Sequence, residues 1–170
     1  MFDRREEAVL NCLLNDGVIF DYPYQITESQ VQAYVAKYSE LYSRPNGVGV
    51  KTKSNLRFAR KLAGRTLIAH TQSVGMLRKD VKAGLVYLIQ NPAYESHLKV
   101  GMCLDIHDRL KVYQTYDPFR QYSILHYEFV LDKRTVERHF IKTYRLDLMK
   151  GEWIDKIDAV KFHTGMKQFI

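Results

Sequence analysis

The sequence is poor in the features that mark several large protein classes. Only two cysteines occur in 170 residues, Cys12 and Cys103. They form no CxxC pair and carry no surrounding zinc-type ligands, which argues against a disulfide scaffold or a structural zinc site. Both are expected to be reduced thiols of a cytoplasmic protein. The six histidines, at 70, 97, 107, 126, 139 and 163, show no HxxxH spacing. Long apolar runs are also missing: stretches such as "GLVYLI" are far too short to cross a bilayer. The opening "MFDRREEAVL" is charged and contains acids, so it is expected to be neither a secretory signal nor a transit peptide. No P-loop or dinucleotide fingerprint occurs, which leaves nucleotide-dependent chemistry without support. There is no internal repeat and no low-complexity segment.

What is present describes a folded chain. An apolar fraction of 46% with 12% aromatics is well outside the disordered range. The length suffices for one good core, or for one compact domain with a smaller appendage. The net charge is +7, and it is unevenly placed. Between Arg44 and Lys82 stand ten basic residues against a single acid, Asp80, more positive charge than the whole chain carries net. Scattered charge commonly means a solvated surface, but a block of this kind points to a polyanionic partner, most often nucleic acid.

The first part, residues 1–82, reads as helical. Over 3–14, Val9, Leu10, Leu13 and Leu14 share one side, with Asp3, Glu6 and Glu7 in the first turns where the helix dipole favours acids. Thr27 and Gln30 have capping-box spacing, and Val31, Tyr34, Val35, Tyr38 and Leu41 follow at helical intervals until "RPNGVG" stops them. Ser54 is placed to cap "NLRFARKLAG", where Arg57, Lys61 and Arg65 recur every four residues as a basic stripe. Lys51, Lys53, Arg57, Arg60, Lys61 and Arg65 are the candidate nucleic-acid contacts. The connection between these two helices is longer than a helix-turn-helix permits.

From about residue 83 the pattern changes. Leu85, Val86, Leu88 and Ile89 supply a strand, "NPAYES" a loop and "HLKVG" a second strand. A helix from about Asp105, a strand within "QYSILHYEFVL" and a helix over 133–148 follow. The expected class is α+β: a small three-stranded antiparallel sheet flanked by helices, over 83–170.

Chemistry-bearing residues are set into these elements. Tyr87 and Lys99 lie in the two hairpin strands. Arg109 and Tyr113 are four apart on the following helix, beside Ile106 and Leu110, so they project together. On the last expected helix Glu137 shares a face with Ile141, Tyr144 and Leu148, and a carboxylate at the margin of an apolar stripe needs a cation or a metal ion. Patterning alone also allows a structural account, in which Arg109 and Glu137 form an ion pair and the two tyrosines fill core space. Tyr116, Phe119 and Tyr122 in "YDPFRQY" are placed either to touch nucleic acid or to pack inward.

The order of these residues resembles the GIY-YIG nuclease superfamily, in its phage-type branch. "GLVYLI" is similar to the first motif, with Tyr87 as its tyrosine; "LKVG" is similar to the second, with Gly101 as its glycine and Lys99 where many members have tyrosine. Arg109 falls eight residues after that glycine, Tyr113 stands one turn on where members carry His or Tyr, and Glu137 in "TVERHF" matches the metal-binding glutamate. "GEWID" near the end also resembles that branch. The resemblance covers about 83–157 and does not extend to residues 1–82. The chain departs from the pattern at Lys99, a replacement certain restriction-enzyme members share, and at Met102 and Cys103, where many members have a polar residue.

The resemblance implies a metal-dependent endonuclease, phage- or mobile-element-encoded and acting in the host cytoplasm, with DNA as partner and RNA left open. Glu137 would hold Mg²⁺ (or Mn²⁺) to serve the leaving oxygen. Tyr87 would be the general base, its pKa lowered by Lys99 across the hairpin. Arg109 would neutralise the non-bridging phosphate oxygens, and Tyr113 would orient phosphate or water. The alternative is a catalytically inactive protein that keeps the fold to bind nucleic acid.

Overall fold

The computed structural model describes residues 3–42, 53–145 and 151–170. Arg44, Lys51, the "RPNGVG" stop and Leu148 lie outside them, as do the side chains of Lys53 and Ser54. The chain divides into two compact units, Met1–Ala83 and Gly84–Ile170.

The first unit holds three helices: α1 (Arg4–Asn15), α2 (Glu28–Tyr42) and α3 (Lys53–Ser73). The capping box anticipated at Thr27 forms, and a second forms at Asp3, expected from sequence only as a first-turn acid. The Asp3 carboxylate accepts from the N–H groups of Arg5 and Glu6 at 2.9 and 2.8 Å, and Glu6 returns a bond from the Asp3 N–H at 2.9 Å. Gln30 Oε1 accepts from the Thr27 N–H at 3.0 Å in the same way. The third helix differs from expectation: it opens at Lys53, ahead of Ser54, and runs well past Gly64 to Ser73. Its apolar stripe continues through Ala63, Leu67 and Ile68, all buried, and that burial outweighs the helix penalty of one glycine. Val9, Leu10, Leu13, Val31, Tyr34 and Val35 complete this core.

The second unit is α+β, in the order β1 (Gly84–Gln90), β2 (His97–Cys103), α4 (Ile106–Tyr116), β3 (Ser123–Val130), α5 (Lys133–Tyr144), β4 (Trp153–Asp155) and α6 (Ala159–Met166). The sheet is antiparallel and has four strands, in the order β3-β1-β2-β4, not the three expected. The added strand is only three residues long, too short to show alternation in sequence. It exists because β2 would otherwise present a bare edge: Leu98 pairs with Ile154 and Lys99 with Trp153. Trp153 also packs on the Tyr94 ring, 4.8 Å between centroids.

Strand β1 is buried along nearly its whole length, as a central strand covered on both faces must be. Val86 and Leu88 point into the main cluster with Leu98, Val100, Val136, Phe140, Ile154, Phe162 and Met166. Leu85, Tyr87 and Ile89 alternate to the opposite face. That face carries the chemistry.

Candidate functional site

Strands β1 and β2 form the floor of the site. Tyr87 sits opposite Gly101, and its fully buried ring lies directly across that glycine. A Cβ at position 101 would overlap the Tyr87 hydroxyl and come within 2.5 Å of Cζ. Glycine weakens a strand interior, and here the gap it leaves is filled by a phenol.

Helix α4 supplies the wall. Asp105 caps it, accepting from the N–H groups of His107 and Asp108 at 2.8 and 2.9 Å. This start sets the helical phase that turns Arg109 and Tyr113 toward Tyr87. Arg109 Nε donates to the Tyr87 oxygen at 2.9 Å, and the Tyr87 and Tyr113 hydroxyls are 3.1 Å apart. The Arg109 guanidinium and the Lys99 ammonium both approach the Tyr113 ring, 5.1 and 5.2 Å from its centroid, and the Tyr122 ring packs against it at 5.1 Å.

Carboxylates close the site on the side of β4. Lys99 Nζ lies 3.2 Å from Glu152, which immediately precedes β4 and accepts the Val100 N–H through its own carbonyl at 2.9 Å. Glu137, on α5, lies within electrostatic reach of the Met102 backbone N–H, which favours its charged form. Glu152 was not among the residues expected from sequence. Its only signal was its place in "GEWID", and nothing in one dimension pairs that segment with Lys99.

The electrostatics follow from these contacts. Burial pushes the Tyr87 phenol well above the ordinary tyrosine range and the Tyr113 hydroxyl adds to it, while Arg109 opposes both. Burial disfavours the Lys99 ammonium, but the Tyr113 phenol and the Glu152 carboxylate outweigh it, so its pKa lies above the usual lysine value. Burial and then the Glu152 charge raise Glu137, against the lowering effects of Arg109 and the Met102 N–H. Burial also lifts the Cys103 thiol to about 12, which makes it a poor nucleophile.

One expectation is corrected. Lys99 does not act on Tyr87: it stands opposite Ile89 and engages Glu152 and Tyr113, and the cation in contact with the phenol oxygen is Arg109. The phenol is raised, not lowered, because burial costs the anion more than one guanidinium returns. The structural account is also set aside in its simple form. Among the described residues no ion pair joins Arg109 to Glu137; the guanidinium is turned to Tyr87 instead.

A divalent cation suits the carboxylate side. Glu137 is a half-buried acid made less acidic by burial and by a neighbouring carboxylate, and a hard cation would relieve both effects with oxygen donors it favours. Among the described residues no group of three or more His, Cys, Asp or Glu side chains converges. A cation held by Glu137 would therefore complete its shell with water and substrate oxygens.

Other sequence candidates fall elsewhere. Arg60, on α3, is 6% exposed and its guanidinium meets the Glu28 carboxylate, with Nη2 at 2.7 Å, so it is an internal partner and not a phosphate contact. Arg65 donates from Nε to the buried Glu6 at 2.9 Å while much of its side chain stays exposed. Lys61 is half-buried; Arg57 is exposed beside the exposed Phe58. His107 lies on the outer side of α4, and His139 meets Gln168 at 3.0 Å, so neither joins the site. Tyr116 and Phe119 are exposed and only Tyr122 packs inward.

No curated protein and no solved structure matches the chain. Residues 84–160, which contain Tyr87, Lys99, Arg109, Tyr113, Glu137 and Glu152, match the model of the T5orf172 domain.

Proposed function

We propose that the protein is a metal-dependent endonuclease that hydrolyses DNA phosphodiester bonds, with a GIY-YIG-like catalytic unit at 84–170 and a phage or mobile-element origin. The T5orf172 match points to a phage-type nuclease or a nucleic-acid-binding role. The observation that carries the catalytic reading is the company these groups keep: two cations gathered on two phenols, with the Glu152 carboxylate on Lys99 and the raised Glu137 beside it. A phosphate needs the cations, and a surface that only binds an anion gains nothing from a half-buried carboxylate such as Glu137.

In this reading Arg109 and Lys99 hold the non-bridging phosphate oxygens, and their positive charge answers the charge that builds up in the transition state. The resting Tyr87 is a neutral phenol hydrogen-bonded to Arg109 and Tyr113. To act as base it first gives up its own proton, which Tyr113 passes toward solvent while Arg109 holds the phenolate, and that phenolate then accepts the proton of the attacking water. Glu137, with Glu152 beside it, would hold Mg²⁺ or Mn²⁺, which supplies charge stabilisation for the leaving oxygen when bound. The exposed basic residues of α3, Arg57 foremost, contribute sequence-independent attraction to DNA.

The raised Tyr87 favours a second reading, because a phenol this reluctant to ionise is a weak base. There the unit binds nucleic acid without cutting it. Incubation with supercoiled plasmid separates the two: nicked or linear product with Mg²⁺, absent with EDTA and absent for Glu137→Ala, supports the endonuclease. Intact plasmid for the wild type at every metal and pH, with DNA still bound, supports the binding protein.

A further inference from the structure

We propose that the outer face of α4 and the turn after it form a second contact surface, which takes an unpaired, single-stranded stretch of the nucleic acid. The inference rests on the reading above for the kind of polymer, but on different residues. Tyr116 and Phe119 are 84% and 78% exposed, more than any other described large apolar side chain. The turn presenting them is tightly tied. The Asp117 carboxylate accepts from the N–H groups of Phe119 and Gln121 at 3.0 and 2.7 Å and from the side chain of the buried Asn91 at 3.0 Å. Gln114 donates to the Tyr122 carbonyl at 2.7 Å, closing the turn onto α4. Arg120 occupies the left-handed region, φ 51°, the sole described non-glycine residue to do so. A helix end and turn tied in this way fix where the two rings are presented, so less backbone freedom is lost when a partner meets them.

The chemistry beside them selects that partner. An open groove of about 480 Å³ is lined by His107, Leu110, Lys111, Gln114, Thr115 and Arg120. Two of these are cations and none is a carboxylate. Lys111 shares its charge with Asp108 at 3.5 Å in an exposed, weak pair; Arg120 has no carboxylate partner among the described residues. Cations beside exposed aromatic faces are the equipment for gripping a backbone while bases stack. A duplex keeps its base faces inside and offers them nothing. The surface also leads to the catalytic side: Tyr122 follows the turn directly and packs on Tyr113. The substrate implied is DNA unpaired next to the scissile phosphate, at a flap, gap or junction.

Binding in EDTA tests this without requiring cleavage. The full chain and its Tyr116→Ala/Phe119→Ala variant are titrated into a short labelled oligothymidylate and into a duplex, followed by anisotropy. Base–aromatic stacking sets the expected loss on the single strand at roughly tenfold or more, with duplex affinity unchanged. Tyr116→Trp/Phe119→Trp should keep single-strand binding, which separates stacking from folding. Equal single-strand affinity for wild type and alanine variant overturns the proposal, as does a matching loss on duplex. So does a wild-type dimer that the alanine variant converts to monomer, since the rings would then face a second copy. Plasmid cleavage measured separately reports on the nuclease reading, so either idea can fail alone.

Discussion

At the scale of single residues, the site depends on contacts a few atoms wide. Gly101 is one: any side chain there competes with the Tyr87 ring for the same space. Gly101→Ala should cost about 1–3 kcal/mol by overpacking, read as a lower urea midpoint, and should cut activity further than that loss explains. Wild-type stability would mean the ring has room to move. Glu137 behaves in the opposite sense. A carboxyl whose folded pKa is raised holds its proton more tightly in the folded state, so stability falls as pH climbs from the ordinary glutamate value through the raised one. Glu137→Gln should therefore melt higher than wild type at pH 7 and lose that advantage in acid, while cutting nothing. Added Mg²⁺ should raise the wild-type melting temperature and leave the variant unmoved. A variant less stable than wild type at pH 7 would mark the carboxylate as structural.

At the scale of elements, β4 and α3 have roles their sequences understate. Strand β4 is minimal, yet it brings Glu152 to Lys99 and within the electrostatic reach of Glu137. Removing that like charge with Glu152→Gln lowers the Glu137 pKa, so the acidic limb of the rate profile should move to lower pH; an unmoved limb would show that Glu137 titrates independently. Helix α3 divides its cations between two tasks. Arg60→Ala leaves Glu28 without its guanidinium and opens buried space, so it should lower the melting temperature and leave the salt dependence of DNA binding alone. Arg57→Ala should do the reverse, reducing the slope of log K against log salt by about 0.9, one phosphate contact on duplex DNA. Matching slopes for wild type and Arg57→Ala would show a solvated side chain with no phosphate against it.

At the scale of the whole molecule, the apolar cluster of the second unit is built, among the described residues, from Val86 through Phe169. A unit with its own core should fold alone. Residues 84–170 expressed by themselves are expected to unfold cooperatively in urea and to bind DNA more weakly than the full chain. A fragment without a cooperative transition would show that residues 1–83 are needed for the core to form. Among the described residues no helix is long and apolar enough to cross a membrane.

The sequence by itself determined the local features of this protein. Capping at Thr27, the hairpin of β1 and β2, and the four-residue spacing of Arg109 and Tyr113 all depend on neighbours close in the chain, where periodicity and side-chain chemistry are legible. Tertiary structure decided what those features meet. It passed Arg60 to Glu28, 32 residues away, and it brought Glu152 to a lysine that sequence alone directed at Tyr87. It also gave Tyr87 a dry setting that raises its pKa. Partner choice, burial and pKa arise from residues distant in sequence and adjacent in space, and no one-dimensional spacing encodes which distant group fills a given gap.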